Sequence, residues 1–135
     1  MNTYTLQLRD ALHSETVERV ASFVGQDASG AFAVWAGHAR FLTVLSFGLA
    51  RYRQSEGPWR HVAVPGAVLY LCDGVLHLDT RRYLVDDDYQ RISRRLQDEL
   101  LAEEAQLGAV KQNLRRMEDE FLKRLARISQ QGRGL

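Results

Sequence analysis

Ala67-Val68-Leu69-Tyr70-Leu71-Cys72-Asp73-Gly74-Val75-Leu76-His77-Leu78-Asp79-Thr80-Arg81-Arg82-Tyr83 contains two apolar runs on either side of one Asp-Gly pair. Asp-Gly readily adopts the positive φ angles of a tight hairpin turn, so the stretch predicts strands over Ala67–Cys72 and Val75–Tyr83. Working outward, Thr3-Tyr4-Thr5-Leu6-Gln7-Leu8-Arg9 alternates apolar and polar side chains, as a strand with one wet face requires. Further strands are expected at Glu15–Val24, Ala31–Trp35, Phe41–Leu45, Gly48–Arg53 and Trp59–Val64. Turn-rich segments at 25–30 and 54–58 separate them. Many short strands with no helical period between them predict an all-β, antiparallel sandwich or barrel.

Past Thr80 the sequence changes character. Both prolines, all four histidines and seven of the ten glycines precede this boundary. Beyond it Leu100, Leu107, Val110, Leu114, Met117, Phe121 and Ile128 recur at steps of three, four or seven, and Ile92 and Leu96 extend the stripe backwards. Such spacing places them on one helix face, as a narrow seam flanked by charged residues. Asp86, Asp87 and Asp88 stand where a helix start favours negative charge and a capping oxygen. A continuous helix from Asp88 to Ile128 would be roughly 60 Å long. The expected domains are therefore a β-sandwich over 1–85 and a helical segment over 86–135. Gly108 is the one breaker inside the apolar pattern, so a two-helix hairpin turning near Ala105–Gly108 is expected, against a rival single extended helix. A rod of that length could not bury its seam on a small sandwich and would have to grip a partner; the seam is expected to be covered in the free protein, by the first helix or by the sandwich.

Composition narrows the chemistry. The 135 residues carry 18 basic and 17 acidic side chains, a net charge of +1 that creates no global pull toward nucleic acid. Arg94-Arg95, Arg115-Arg116 and Lys123-Arg124 are interleaved with acids, which reads as mixed-sign helix surface. No apolar run is long enough to span a bilayer, Met1–Thr5 lacks the features of a signal peptide, and Cys72 is the lone cysteine; a cytoplasmic chain without direct membrane insertion is expected. Gly25 and Gly30 have the spacing of a phosphate loop, but Ala31-Phe32 follows in place of its Lys and Ser/Thr. His13, His38, His61 and His77 have no paired spacing, and Asp86–Asp88 lack the spaced ligands and glycine of a cation loop. No catalytic residue, metal site or cofactor is expected.

Two stretches carry a family resemblance. Gly30-Ala31-Phe32-Ala33-Val34-Trp35-Ala36-Gly37-His38-Ala39-Arg40-Phe41-Leu42-Thr43-Val44-Leu45 resembles the G-x-F/L-G-V-L-P-G-H-A-P-L-L-T-x-L signature of F-type ATP synthase epsilon subunits. His61-Val62-Ala63-Val64-Pro65-Gly66-Ala67-Val68-Leu69-Tyr70-Leu71 and Gly74–Thr80 are similar to that family's next strand pair in position and spacing. Ala36 replaces the proline before Gly-His, Trp35 an aliphatic or tyrosine, and Pro65 a serine; Ala31 removes an acidic residue common in some members. These departures imply a divergent branch, such as the alternate ATP synthases some bacteria carry.

The resemblance implies a non-catalytic rotor subunit, peripheral on the cytoplasmic face of the bacterial inner membrane. Its sandwich would tie the gamma shaft to the c-ring of an ion-translocating ATP synthase. Its helices would inhibit ATP hydrolysis by reaching toward the alpha and beta catalytic subunits. Phe32, Trp35, Gly37, His38, Phe41 and Leu42 are the candidate gamma and c-ring contacts, and Leu107, Val110, Leu114, Met117 and Phe121 the regulatory seam. Asp88 and Arg91 keep only the Asp and Arg of the Ile-Asp-x-x-Arg-Ala nucleotide pattern found in some bacterial members. The alternative from a different class is a stand-alone sandwich adaptor whose helices self-associate as a coiled coil.

Overall fold

In the computed structural model, which describes residues 2–133, nine strands precede the helical segment. They are β1 (Tyr4–Arg9), β2 (Ser14–Asp27), β3 (Gly30–Val34), β4 (Phe41–Leu45), β5 (Gly48–Gln54), β6 (Arg60–Val64), β7 (Ala67–Cys72), β8 (Val75–Thr80) and β9 (Leu84–Asp86). The hydrogen-bonded order is β1-β8-β7-β4-β2-β5-β6-β9, with β3 on β2 and β1 also pairing β2. Asp73 and Gly74 have φ of 52° and 77°, so the Asp-Gly turn forms where the sequence places it, and Cys72 pairs with Val75. All pairs are antiparallel except β1–β8, which lie parallel in the register Leu6↔Leu76 and Leu8↔Leu78.

Two boundaries differ from the sequence expectation. The long run Val75–Tyr83 is broken after Thr80, whose hydroxyl donates to the Gly66 carbonyl at 2.6 Å; β9 then pairs with β6 instead. Strand β2 is longer than expected and belongs to two pairings. Its first half pairs with β1, and its second with β3 and β5. Its register on both β1 and β5 shifts around Arg19–Ser22, where Arg19 has φ of 57°. A bulge of this kind bends a strand and increases its twist, which lets one chain segment turn from one layer into the other.

The alternation of β1 reappears as burial: Tyr4, Leu6 and Leu8 are buried, and their neighbours face outward. They meet Val20, Phe23, Leu69, Leu76 and Leu78 in the sandwich core. The Tyr4 hydroxyl donates to the Val34 carbonyl at 2.7 Å, which satisfies both polar groups inside that core.

A second, smaller core lies on the outside of β6 and β9. There Ala63 and Leu84 are covered by Ile92 and Leu100, with Leu49 and Leu96 alongside. Helix α1 spans Tyr89–Arg95 and continues into a π-helical stretch, Leu96–Leu101. A spacing of four between Ile92, Leu96 and Leu100 drifts around an α-helix, and the wider π turn holds all three over the sheet. The first compact unit therefore ends at Leu101, and Ala102 begins the second.

That second unit is one helix, α2 (Ala102–Arg133). The turn expected at Ala105–Gly108 is not present, because a single glycine costs only about 1 kcal/mol in a helix and nothing beside it stops the chain. Among the described residues of this unit no second helix covers the seam, unlike the hairpin expected from the sequence: Leu107 is 37% exposed and Val110, Leu114, Met117 and Phe121 are 52–65% exposed.

Candidate interaction surfaces

Three places contain the candidate residues, and they differ in physical character. The first is the outer face of β4 and β7. Because Leu45 and Leu69 point inward, strand alternation turns Leu42, Val44 and Val68 outward, at 70%, 64% and 42% exposure. Val44 pairs directly with Val68, and Leu42 with Tyr70. Water is thus left facing a continuous apolar patch, the kind of surface that marks contact with another macromolecule.

A fixed polar border adjoins that patch on β7, β8 and β1. Arg9 makes a two-pronged bond to Asp79 at 2.7 and 3.1 Å and donates to the Tyr70 hydroxyl at 2.9 Å. Its Nη2 also lies 3.1 Å from His77 Nδ1. Since a guanidinium only donates, that ring nitrogen accepts, and His77 is neutral with its hydrogen on Nε2. Burial and the nearby Arg9 charge both push the His77 pKa down. Tyr70 and His77 stack with centroids 4.5 Å apart and planes 8° apart. Sequence reading singled out Leu42 but missed Val44, Val68 and this border. The available signal was that Phe41-Leu42-Thr43-Val44-Leu45 does not alternate apolar with polar residues, which puts large apolar side chains on both strand faces.

The second place is the β3–β4 loop. Trp35 is 63% exposed. Gly37 has φ of 80°, a conformation favouring glycine, and the His38 amide closes the turn onto the Trp35 carbonyl at 3.2 Å. His38 Nδ1 lies 3.0 Å from the Ala39 carbonyl; because a carbonyl only accepts, Nδ1 carries a hydrogen. The His38 ring meets Phe41 edge-on at 5.2 Å, and Phe41 meets Phe32 at 6.3 Å. Phe32 and Phe41 are half-buried against the sandwich core, so they support the loop while Trp35 and His38 face out. Arg40 reaches Asp73 at 3.0 Å across a cleft of about 130 Å³ that Trp35, Gly37 and His38 help to line.

The third place is the start of α1. Asp88 is its N-cap, accepting from the Arg91 amide at 3.1 Å. The Arg91 guanidinium grips Asp86 with both prongs at 2.6 Å and touches Asp87 at 3.2 Å. Asp88 and Arg91 are therefore brought together, but the Asp86 carboxylate already holds Nε and Nη2 of the guanidinium, so a phosphate there would meet a neighbouring carboxylate. Arg91, followed by the Asp88 amide, holds the Asp86 carboxyl well below the usual carboxylate range. A depressed folded-state pKa adds stability above the ordinary value of about 4 and loses it as pH falls below that. Asp86→Asn is accordingly expected to lower the melting temperature at pH 7. That deficit should narrow progressively in melts taken below about pH 4.

Among the described residues no group of three or more His, Cys, Asp or Glu is placed to hold a metal ion, and no helix is long and apolar enough to cross a membrane. The sandwich thus has an apolar outer face and an aromatic loop, and α2 an exposed apolar seam. Residues 3–77 match the family described as ATP synthase, Delta/Epsilon chain, beta-sandwich domain, and the chain belongs to that family.

Among individual relatives, the chain is 44% identical over 59 residues to ATP synthase epsilon chain 2 of Cereibacter sphaeroides. That alignment covers 44% of this chain and 40% of the relative, so the chain matches less than half of that protein's length. Two solved structures share the fold. A chain of the Euglena gracilis mitochondrial ATP synthase (OSCP/F1/c-ring) aligns with TM-score 0.58 at 19% identity, over 73% of this chain and 64% of that one. A chain of the Tetrahymena thermophila mitochondrial ATP synthase (central stalk/c-ring) aligns with TM-score 0.52 at 10% identity, over 62% and 69%.

Proposed function

We propose that this chain is a non-catalytic epsilon subunit in the central stalk of an F-type ATP synthase, joining the gamma shaft to the c-ring. The observation that carries the reading is the family match over residues 3–77 on a sandwich whose exposed features suit docking. The Leu42, Val44 and Val68 face, with its Arg9 border, takes gamma; the Trp35–His38 loop meets the polar loops of the c-ring. The chain then sits peripherally at the cytoplasmic side of a bacterial inner membrane. Kinship with a second epsilon chain supports a place in an alternate complex. The α2 seam engages gamma and the alpha and beta subunits, and restrains ATP hydrolysis.

Co-expression with a gamma subunit from the same source tests the docking: a stable complex is expected, and its absence would overturn the assignment. Truncation after Leu101 keeps Ile92 and Leu100 on the sandwich while removing the seam. ATP hydrolysis by the assembled enzyme is expected to rise severalfold; an unchanged rate would remove the inhibitory role and leave the docking role standing.

A further inference from the structure

We propose that two free copies of this chain pair through α2 as an antiparallel coiled coil. The pairing concerns the isolated chain and does not rest on its place in an ATP synthase. Leu107, Val110, Leu114, Met117, Phe121 and Ile128 are all exposed, at 37–65%. Their spacing follows the seven-residue repeat with two apolar positions along which two long helices pair, and the exposed Leu122 and Leu125 widen the seam on one side.

The same repeat assigns the two copies their direction. It places Glu103 and Arg124, opposite in charge, at seam positions three seven-residue repeats apart. A parallel pair in register would set Arg124 against its own copy, and Glu103 likewise, burying like charges together. An antiparallel pair centred between Leu114 and Met117 instead sets Leu114 on Met117, Val110 on Phe121 and Arg124 on Leu107. Arg124 then lies one turn from Glu103 of the other copy. At the flanks Lys111 comes opposite Glu118, twice by symmetry, and no flanking pair has like charge.

Sedimentation of the full chain from about 1 µM to about 500 µM at low salt reads the pairing. A monomer–dimer equilibrium is expected, and a monomer throughout that range overturns the proposal. Leu114→Asp alters an exposed residue of the second compact unit and so spares the sandwich, whose melting temperature serves as the folding control. It is expected to abolish the dimer, and a dimer that survives it lies elsewhere and ends the proposal. Lys111→Glu creates two like-charge contacts and is expected to weaken pairing roughly tenfold. Adding Glu118→Lys to it restores opposite charges only in the antiparallel arrangement, so recovery supports the proposal. Failure to recover overturns the assigned direction.

Discussion

Changing Leu42 and Val44 together to Asp is expected to weaken capture by gamma by roughly 100- to 1000-fold while leaving the sandwich folded. Both side chains point away from the core, at 70% and 64% exposure, so their loss removes no internal packing. In a complex they would stand at the centre of a desolvated patch together with Val68. Buried carboxylates there would face apolar partner groups with no cation aimed at them, since Arg9 is already committed to Asp79. Side chains central to an interface commonly contribute about 2 kcal/mol or more apiece, which sets the scale of the loss. Leu12→Asp is the control: Leu12 is 87% exposed, yet lies on the β1–β2 loop, outside the apolar patch. Affinity measured by titration calorimetry should fall for the double variant and hold for the control. Equal affinity in both would place the gamma contact on another face.

That face also shows how far the sequence could be read. The hairpin at Asp73-Gly74 and the alternation of Tyr4, Leu6 and Leu8 were legible because each depends on neighbours a few residues away. Strand β9 was not, since the break after Thr80 comes from a hydroxyl reaching the Gly66 carbonyl, fourteen residues back. The helix repeat was legible as a period, but its division was not. Ile92 and Leu100 are buried on β6 and β9, while Leu107 onward is exposed, and nothing in the spacing separates the two groups. Gly108 suggested a turn because glycine is a weak helix former, but a weak residue does not terminate a helix in the absence of a stop signal. Asp88 and Arg91 could be paired from their spacing alone. That Arg91 is held by Asp86 could not, because Asp86 is positioned by its pairing with His61 on β6.

Phe23→Ala is expected to cost about 3–5 kcal/mol, a large share of the stability of a unit this size. Phe23 has no exposed surface and is among the largest fully buried side chains in the sandwich. It sits just past the bulge in β2, pairing with Val34 on one side and Tyr52 on the other. Its ring therefore fills space between strands that meet only because β2 changes partners there. Collapse into the vacated volume is opposed on two fronts. The neighbouring backbone is fixed by the ladder to β3, and equally by the ladder to β5. A cavity that cannot relax keeps its full penalty. For about 100 residues, 1 kcal/mol moves the midpoint by roughly 4–8 °C, so a drop of about 15–30 °C is expected by calorimetry. Phe121→Ala removes the same ring from a site 61% exposed on α2 and should leave the sandwich transition where it was. If the two variants melted together, the sandwich core would not be centred on β2, and the bulge at Arg19 would lose its role in joining the layers.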